Sequence, residues 1–162
     1  MLDRGTVMDQ ITILSGLDFV GGFVAPEYVV EGIIQRGSLY SLTTKTGHGK
    51  TAICVDLTFA FAHGRNFAGQ AVEQGNVCYL VGENPDDVRA RFLVCAEAYG
   101  LPVNKEMNFI PSVFLIEEKF EVIQAKAEEV GGFIAVIVIQ GAVTPTLVFL
   151  PPYLLQARYR AG

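Results

Sequence analysis

The hydrophobic pattern changes period several times along the chain. The first 25 residues are weakly patterned, and Gly21-Gly22 and Ala25-Pro26 mark turns there. "YVVEGIIQRGSLYSLT", residues 28–43, reads as a short element, a turn at Arg36-Gly37, and a strand from about Leu39 to Thr43. "KTAICVDLTFAFAHG" is apolar on nearly every side and stops at Gly64, the pattern of a helix buried against a sheet. "GNVCYLVGE" is a short apolar run without alternation, as in a strand covered on both faces. "NPDDVRARFLVCAEAYG" predicts a helix with Asn84 as N-cap, Pro85 in the first turn, Asp86 and Asp87 at the positive end, and Gly100 as the stop. "MNFIPS" is a brief third strand, and "EEKFEVIQAKAEEV" is an amphipathic helix ended by Gly131-Gly132. "FIAVIVI" is a fourth strand, rich in β-branched residues. Strands and helices alternating at these lengths predict an α/β fold with a parallel sheet.

After Ile139 the pattern disappears. No charged residue occurs from Phe133 to Ala157, and Arg158 and Arg160 are the only charges from Gly141 to Gly162. A run this apolar raises the question of a membrane span. Gln140, Gly141, Thr144 and Thr146 interrupt it, and prolines 145, 151 and 152 follow, so a buried strand and an irregular tail is the preferred reading and no membrane association is expected. The expected division is a lead-in over residues 1–17, a core over 18–140 and an atypical apolar tail over 141–162.

Bulk properties narrow the class. A chain of 162 residues with 51% hydrophobic and 18% charged positions supports one folded domain. The net charge of −5 argues against a surface coated in basic charge for nucleic acid, though not against a local basic patch. Cys54, Cys78 and Cys95 lack metal-ligand spacing and read as buried free thiols of a reducing cytoplasm.

The chemistry concentrates in "TKTGHGKT", Thr44 to Thr51, close to the phosphate-loop form G-x-x-x-x-G-K-[ST] between a strand and a helix. Gly47 and Gly49 let the backbone curl so that its N–H groups face a phosphate. The positive end of the following helix adds to that anion site. Expected nucleotide-binding residues are Thr46, Gly47, His48, Gly49, Lys50, Thr51 and Ala52. Lys50 is expected to reach the β- and γ-phosphates and to serve catalysis, and the Thr51 hydroxyl to hold Mg²⁺. His48 lines the site without a catalytic part. Thr44 stands where the form has glycine, and a β-branched residue there predicts weaker or altered binding. Glu83, ending the second strand, is the candidate catalytic acid that orients and deprotonates water; a helix-capping or solvated acid is the alternative. Arg89 and Arg91 read first as a solvated helix face, with contact to a neighbouring subunit's nucleotide as the alternative.

Together, "YVVEGIIQRGSLYSLTTKTGHGKTA", "AHGRNFAGQAVEQGNVCYLVGENPDDVRARF" and "GGFIAVIVI" resemble the AAA-family ATPases of the RepA-like, hexameric-helicase branch of RecA-type proteins, especially those of phages and mobile elements. The resemblance spans about residues 18–139, and "GRNFAG…VEQGNVCYLVGE" is its most specific part. It implies a RecA-like P-loop core, ATP and Mg²⁺ as cofactors, work on DNA, and a homo-oligomeric ring. It matches Lys50 and Thr51 to the P-loop lysine and hydroxyl, and Glu83 to the catalytic glutamate. The family also places an aspartate at the end of the "FIAVIVI" strand, where this chain has Ile139 or Gln140. Val138-Ile139-Gln140 can be encoded GTG-ATA-CAA, and a shift of one base exposes GAT-ACA, Asp-Thr. The expectation is a longer ATPase truncated near residue 139 by a frameshift, with a gene fragment of divergent end as the rival. Without that acid, nucleotide binding with slow hydrolysis, or none, is expected.

Overall fold

A computed structural model of the chain describes residues 12–43, 45, 47–82, 84–111 and 116–140. Most of the expected lead-in, Thr44, Thr46, Glu83 and the tail over 141–162 lie outside the described residues. The elements in chain order are α1 (Gly16–Gly21), β1 (Tyr28–Val30), β2 (Ile34–Gln35), α2 (Lys50–His63), β3 (Val77–Gly82), α3 (Pro85–Tyr99), β4 (Met107–Ile110), α4 (Ile116–Val130) and β5 (Ala135–Gln140).

Three strands form a parallel sheet in the order β4-β3-β5. Burial alternates between its faces. Val77, Tyr79 and Val81 of β3 and Ala135, Ile137 and Ile139 of β5 pack with α2 and α3. Cys78 and Leu80, with Val136 and Val138, pack instead on Ile123 and Ala127 of α4. The result is a helix–sheet–helix sandwich, which explains why these strands read as continuous apolar runs. The helix ends follow the local sequence. Asn84 accepts a hydrogen bond from the Asp86 amide at 3.1 Å. Gly64 and Gly100 end α2 and α3 in the left-handed conformation, at φ 66° and 63°.

One expected strand is absent. Residues 39–43 form no ladder with any described strand, and the outer edges of β4 and β5 carry no further described strand. Burial still alternates there: Tyr40 and Leu42 pack on the core, whereas Leu39, Ser41 and Thr43 are exposed. The period-2 pattern is present without the neighbour that would make the segment a strand.

The N-terminal part of the core holds instead an antiparallel hairpin of β1 and β2, with Val29, Val30 and Ile34 buried. It is fastened to the loop after α2. The Glu31 amide donates to the Ala71 carbonyl at 2.9 Å, and the Glu73 amide to the Val29 carbonyl at 3.0 Å. Arg36 pairs with Glu27 at 3.1 Å and also with Glu73. The turn expected at Arg36-Gly37 is present, with Gly37 at φ 69°.

Candidate nucleotide-binding site

Gly47, His48 and Gly49 form the turn that leads into α2. Gly47 and Gly49 have φ of 82° and 84°, values that side chains other than glycine's seldom adopt. Neither glycine is squeezed, since a Cβ on either would meet nothing within 4 Å. Glycine is needed for backbone direction, and the space over the loop is open. The turn is tied by the His48 amide donating to the Lys45 carbonyl at 3.2 Å. The first helical hydrogen bond runs from the Ile53 amide to the Gly49 carbonyl at 3.0 Å.

Lys50, Thr51 and Ala52 make up the first turn of α2. Its N-cap is Gly49, which offers no side-chain oxygen, and no acidic residue lies in that turn. Most helices satisfy their first amides with a side-chain cap or favour an acid beside them. Here the positive end of a 14-residue helix meets an open glycine turn and a lysine, an arrangement suited to a polyanion. The buried body of α2, from Cys54 to Ala62, anchors that turn on the sheet.

The chain matches the family model described as "AAA domain" over residues 15–142. It belongs to that family. No curated protein and no solved structure matches the chain. Membership in the AAA domain family makes this a nucleotide-binding P-loop module.

The sheet brings together two positions that the sequence separates widely. Gly82 of β3 is in register with Gln140 of β5, and Val81 with Ile139. Gly82 thus stands beside Gln140 at the C-terminal edge of the sheet, where ligands of open α/β sheets bind. Ile139 is 3% exposed and belongs to the cluster that also holds Cys54, Val55 and Leu57 of α2. The side chain at 139 therefore lies on the sheet face covered by α2. The alternation of β5 identifies that face only once its partners are known.

Arg89 and Arg91 are exposed, and Arg89 pairs with Asp86 at 2.6 Å, in accord with a solvated helix face. Cys54 and Cys78 are buried and Cys95 partly so, and none of the three is in a disulfide. Burial pushes the Cys78 thiol up to about 12. Among the described residues no helix is long and apolar enough to cross a membrane.

Proposed function

We propose that this domain binds ATP with Mg²⁺ through residues 46–52, as the nucleotide module of a DNA-handling motor of the RepA-like helicase kind. The observation that carries the nucleotide reading is the pair of left-handed glycines, Gly47 and Gly49, opening directly into an uncapped helix whose first residue is Lys50. The backbone amides of this turn hold the phosphates, and the Lys50 ammonium neutralises their charge. The Thr51 hydroxyl would hold Mg²⁺, which would offset phosphate charge. Glu83 orients the attacking water and takes its proton. The role on DNA and the ring assembly rest on the resemblance of residues 18–139 alone, as does the phage or mobile-element setting.

The second reading, a nucleotide-binding module that hydrolyses poorly, is favoured by one specific observation. Ile139 is a buried apolar side chain on the α2 face at the end of β5, where the resemblance calls for an aspartate. An acid at that point supplies transition-state stabilisation of several kcal/mol in order of magnitude. The chain is therefore expected to bind ATP but to turn it over far below about 1 per second. Titration with a fluorescent ATP analogue tests the binding, with Lys50→Ala as control. Losing one charge-assisted contact to phosphate should weaken binding by about tenfold or more. Equal affinity of both proteins would remove the phosphate-loop assignment. Turnover at about 1 per second or faster would remove the second reading. Stimulation of whatever turnover remains by single-stranded DNA tests the motor assignment.

A further inference from the structure

The chain approaches the glycine turn before α2 through residues 39–43, and no described strand pairs with them. A ladder would fix such a segment by repeated backbone hydrogen bonds. Here side chains take that part. Tyr40 and Leu42 rest on the buried cluster that holds Val29, Ile34, Ile137 and Ile139. The Tyr40 hydroxyl accepts a hydrogen bond from the Gln35 amide at 2.8 Å, in a part-buried setting.

That amide lies on the outer edge of the β1–β2 hairpin. The next amide, of Arg36, points inward and donates to the Glu27 carbonyl at 2.8 Å. Successive amides of an extended chain point to opposite sides, so the Gln35 amide points outward. The hairpin is itself fastened to the loop after α2, through the Glu31–Ala71 and Glu73–Val29 backbone bonds and the Arg36–Glu73 ion pair. That loop follows the C-terminal end of α2, whereas the glycine turn precedes its N-terminal end. The Gln35–Tyr40 bond therefore joins the entry of the turn to a body already tied to the other end of the same helix.

We propose that Tyr40 is a positioning residue for the phosphate site. Its hydroxyl, held by the Gln35 amide, sets where residues 39–43 deliver the chain into the Gly47–Gly49 turn, and thereby the aim of the amides that receive phosphate. This rests on the reading of that turn as the phosphate loop. The physical reason is entropic. Lys45, Gly47, His48 and Gly49 are all exposed, so packing restrains the turn little. Loss of the tether opens further conformations to the empty turn, and a bound phosphate must close them again. The penalty on affinity is bounded by the worth of one neutral hydrogen bond, a factor of roughly two to ten.

Tyr40→Phe tests this, because it keeps the ring on the core and removes only the hydroxyl. Affinity for inorganic triphosphate with Mg²⁺ and for a fluorescent ATP analogue should fall by the same factor, roughly two- to tenfold, since the change lies in the turn and not in contacts to the base. Hydrogen exchange of the nucleotide-free chain should quicken in a peptide spanning residues 47–53 and stay unchanged in peptides from β3 and α3. Ile123→Val is the control for a purely structural effect. Ile123 is buried beneath α4 on the opposite face of the sheet, so its truncation should lower stability and leave both readouts alone. A Tyr40→Phe protein that behaves like Ile123→Val, less stable but with wild-type affinity and wild-type exchange over 47–53, overturns the inference. So does exchange that quickens evenly over the whole chain. Lys50→Ala, titrated alongside, separates the two readings. If it weakens binding and Tyr40→Phe does not, the positioning role alone fails. If it leaves binding unchanged, the phosphate-loop assignment fails, and with it the role of Tyr40 at a phosphate site.

Discussion

Tyr99 shows how single side chains fasten the two helices on one face of the sheet. Its hydroxyl donates to Asp56 Oδ1 at 2.8 Å, and Arg65 pairs with the same carboxylate. The Arg65 guanidinium also lies over the Tyr99 ring, 4.5 Å from its centre. Asp56 belongs to the middle of α2 and Tyr99 ends α3, so the cluster links the two helices. The hydrogen bond to Asp56, then burial and the Asp56 charge, push the Tyr99 phenol up from its usual 10 to about 12. The proton is held more tightly in the folded chain than in the unfolded one. This contribution is therefore complete below pH 10 and is lost as pH rises toward 12. Thermal melts between those values should fall more steeply for wild type than for Tyr99→Phe. Parallel curves would show that the phenol–carboxylate bond adds nothing.

At the scale of elements, a close approach fixes how the lead-in to β3 meets the lead-in to β5. A Cβ on Gly75 would lie 3.0 Å from Ile134 Cβ, closer than packed carbons ordinarily stand. The backbone here cannot easily retreat. The Gly75 amide donates to the Phe61 carbonyl at 3.0 Å, and the Ile134 amide to the Asn76 carbonyl at 2.7 Å. Gly75→Ala should therefore destabilise the fold by about 1–3 kcal/mol, the usual cost of overpacking. Chemical denaturation would measure it, and an unchanged midpoint would mean that Ile134 repacks freely. Ile134 shares its buried cluster with a layer of aromatic rings. Phe92 meets Tyr79 and Phe109 edge-on, at 5.3 and 4.8 Å between ring centres, and stacks on Phe59 at 5.7 Å.

For the whole molecule, the end of β5 matters most. If the α2 face there is where Mg²⁺ and the reacting phosphate come together, Ile139→Asp should have two coupled effects. A carboxylate at a position 3% exposed should lower stability in the absence of ligand, for want of a partner. Mg²⁺ with ATP should recover that stability beyond what it gives wild type, and turnover should rise about tenfold or more. Melting with and without Mg²⁺–ATP, beside a turnover assay, checks both. Loss of stability without recovery would place position 139 away from the metal.

The glycine turn before α2 was legible from local order alone. The glycine spacing, Lys50 and Thr51, and the apolar run after them are consecutive, and their conformations follow from short-range sterics and helix formation. The same holds for the caps at Asn84, Gly64 and Gly100, and for β3 and β5, whose unbroken apolar runs demand cover on both faces. What was illegible depended on partners. Residues 39–43 carry strand periodicity, but a strand exists only with a neighbour, and no described strand pairs with them. The hairpin at 28–35 was not legible as such, because its turn at 31–33 is held by a loop some 40 residues later, through Ala71 and Glu73. The bond from the Gln35 amide to the Tyr40 hydroxyl was illegible for the same reason, since only the paired hairpin turns that amide outward. Short-range order thus determined the glycine turn before α2 and most of the elements. Only the tertiary structure decided which side of β5 faces α2, because strand alternation supplies two faces and the packing of α2 and α3 against α4 distinguishes them.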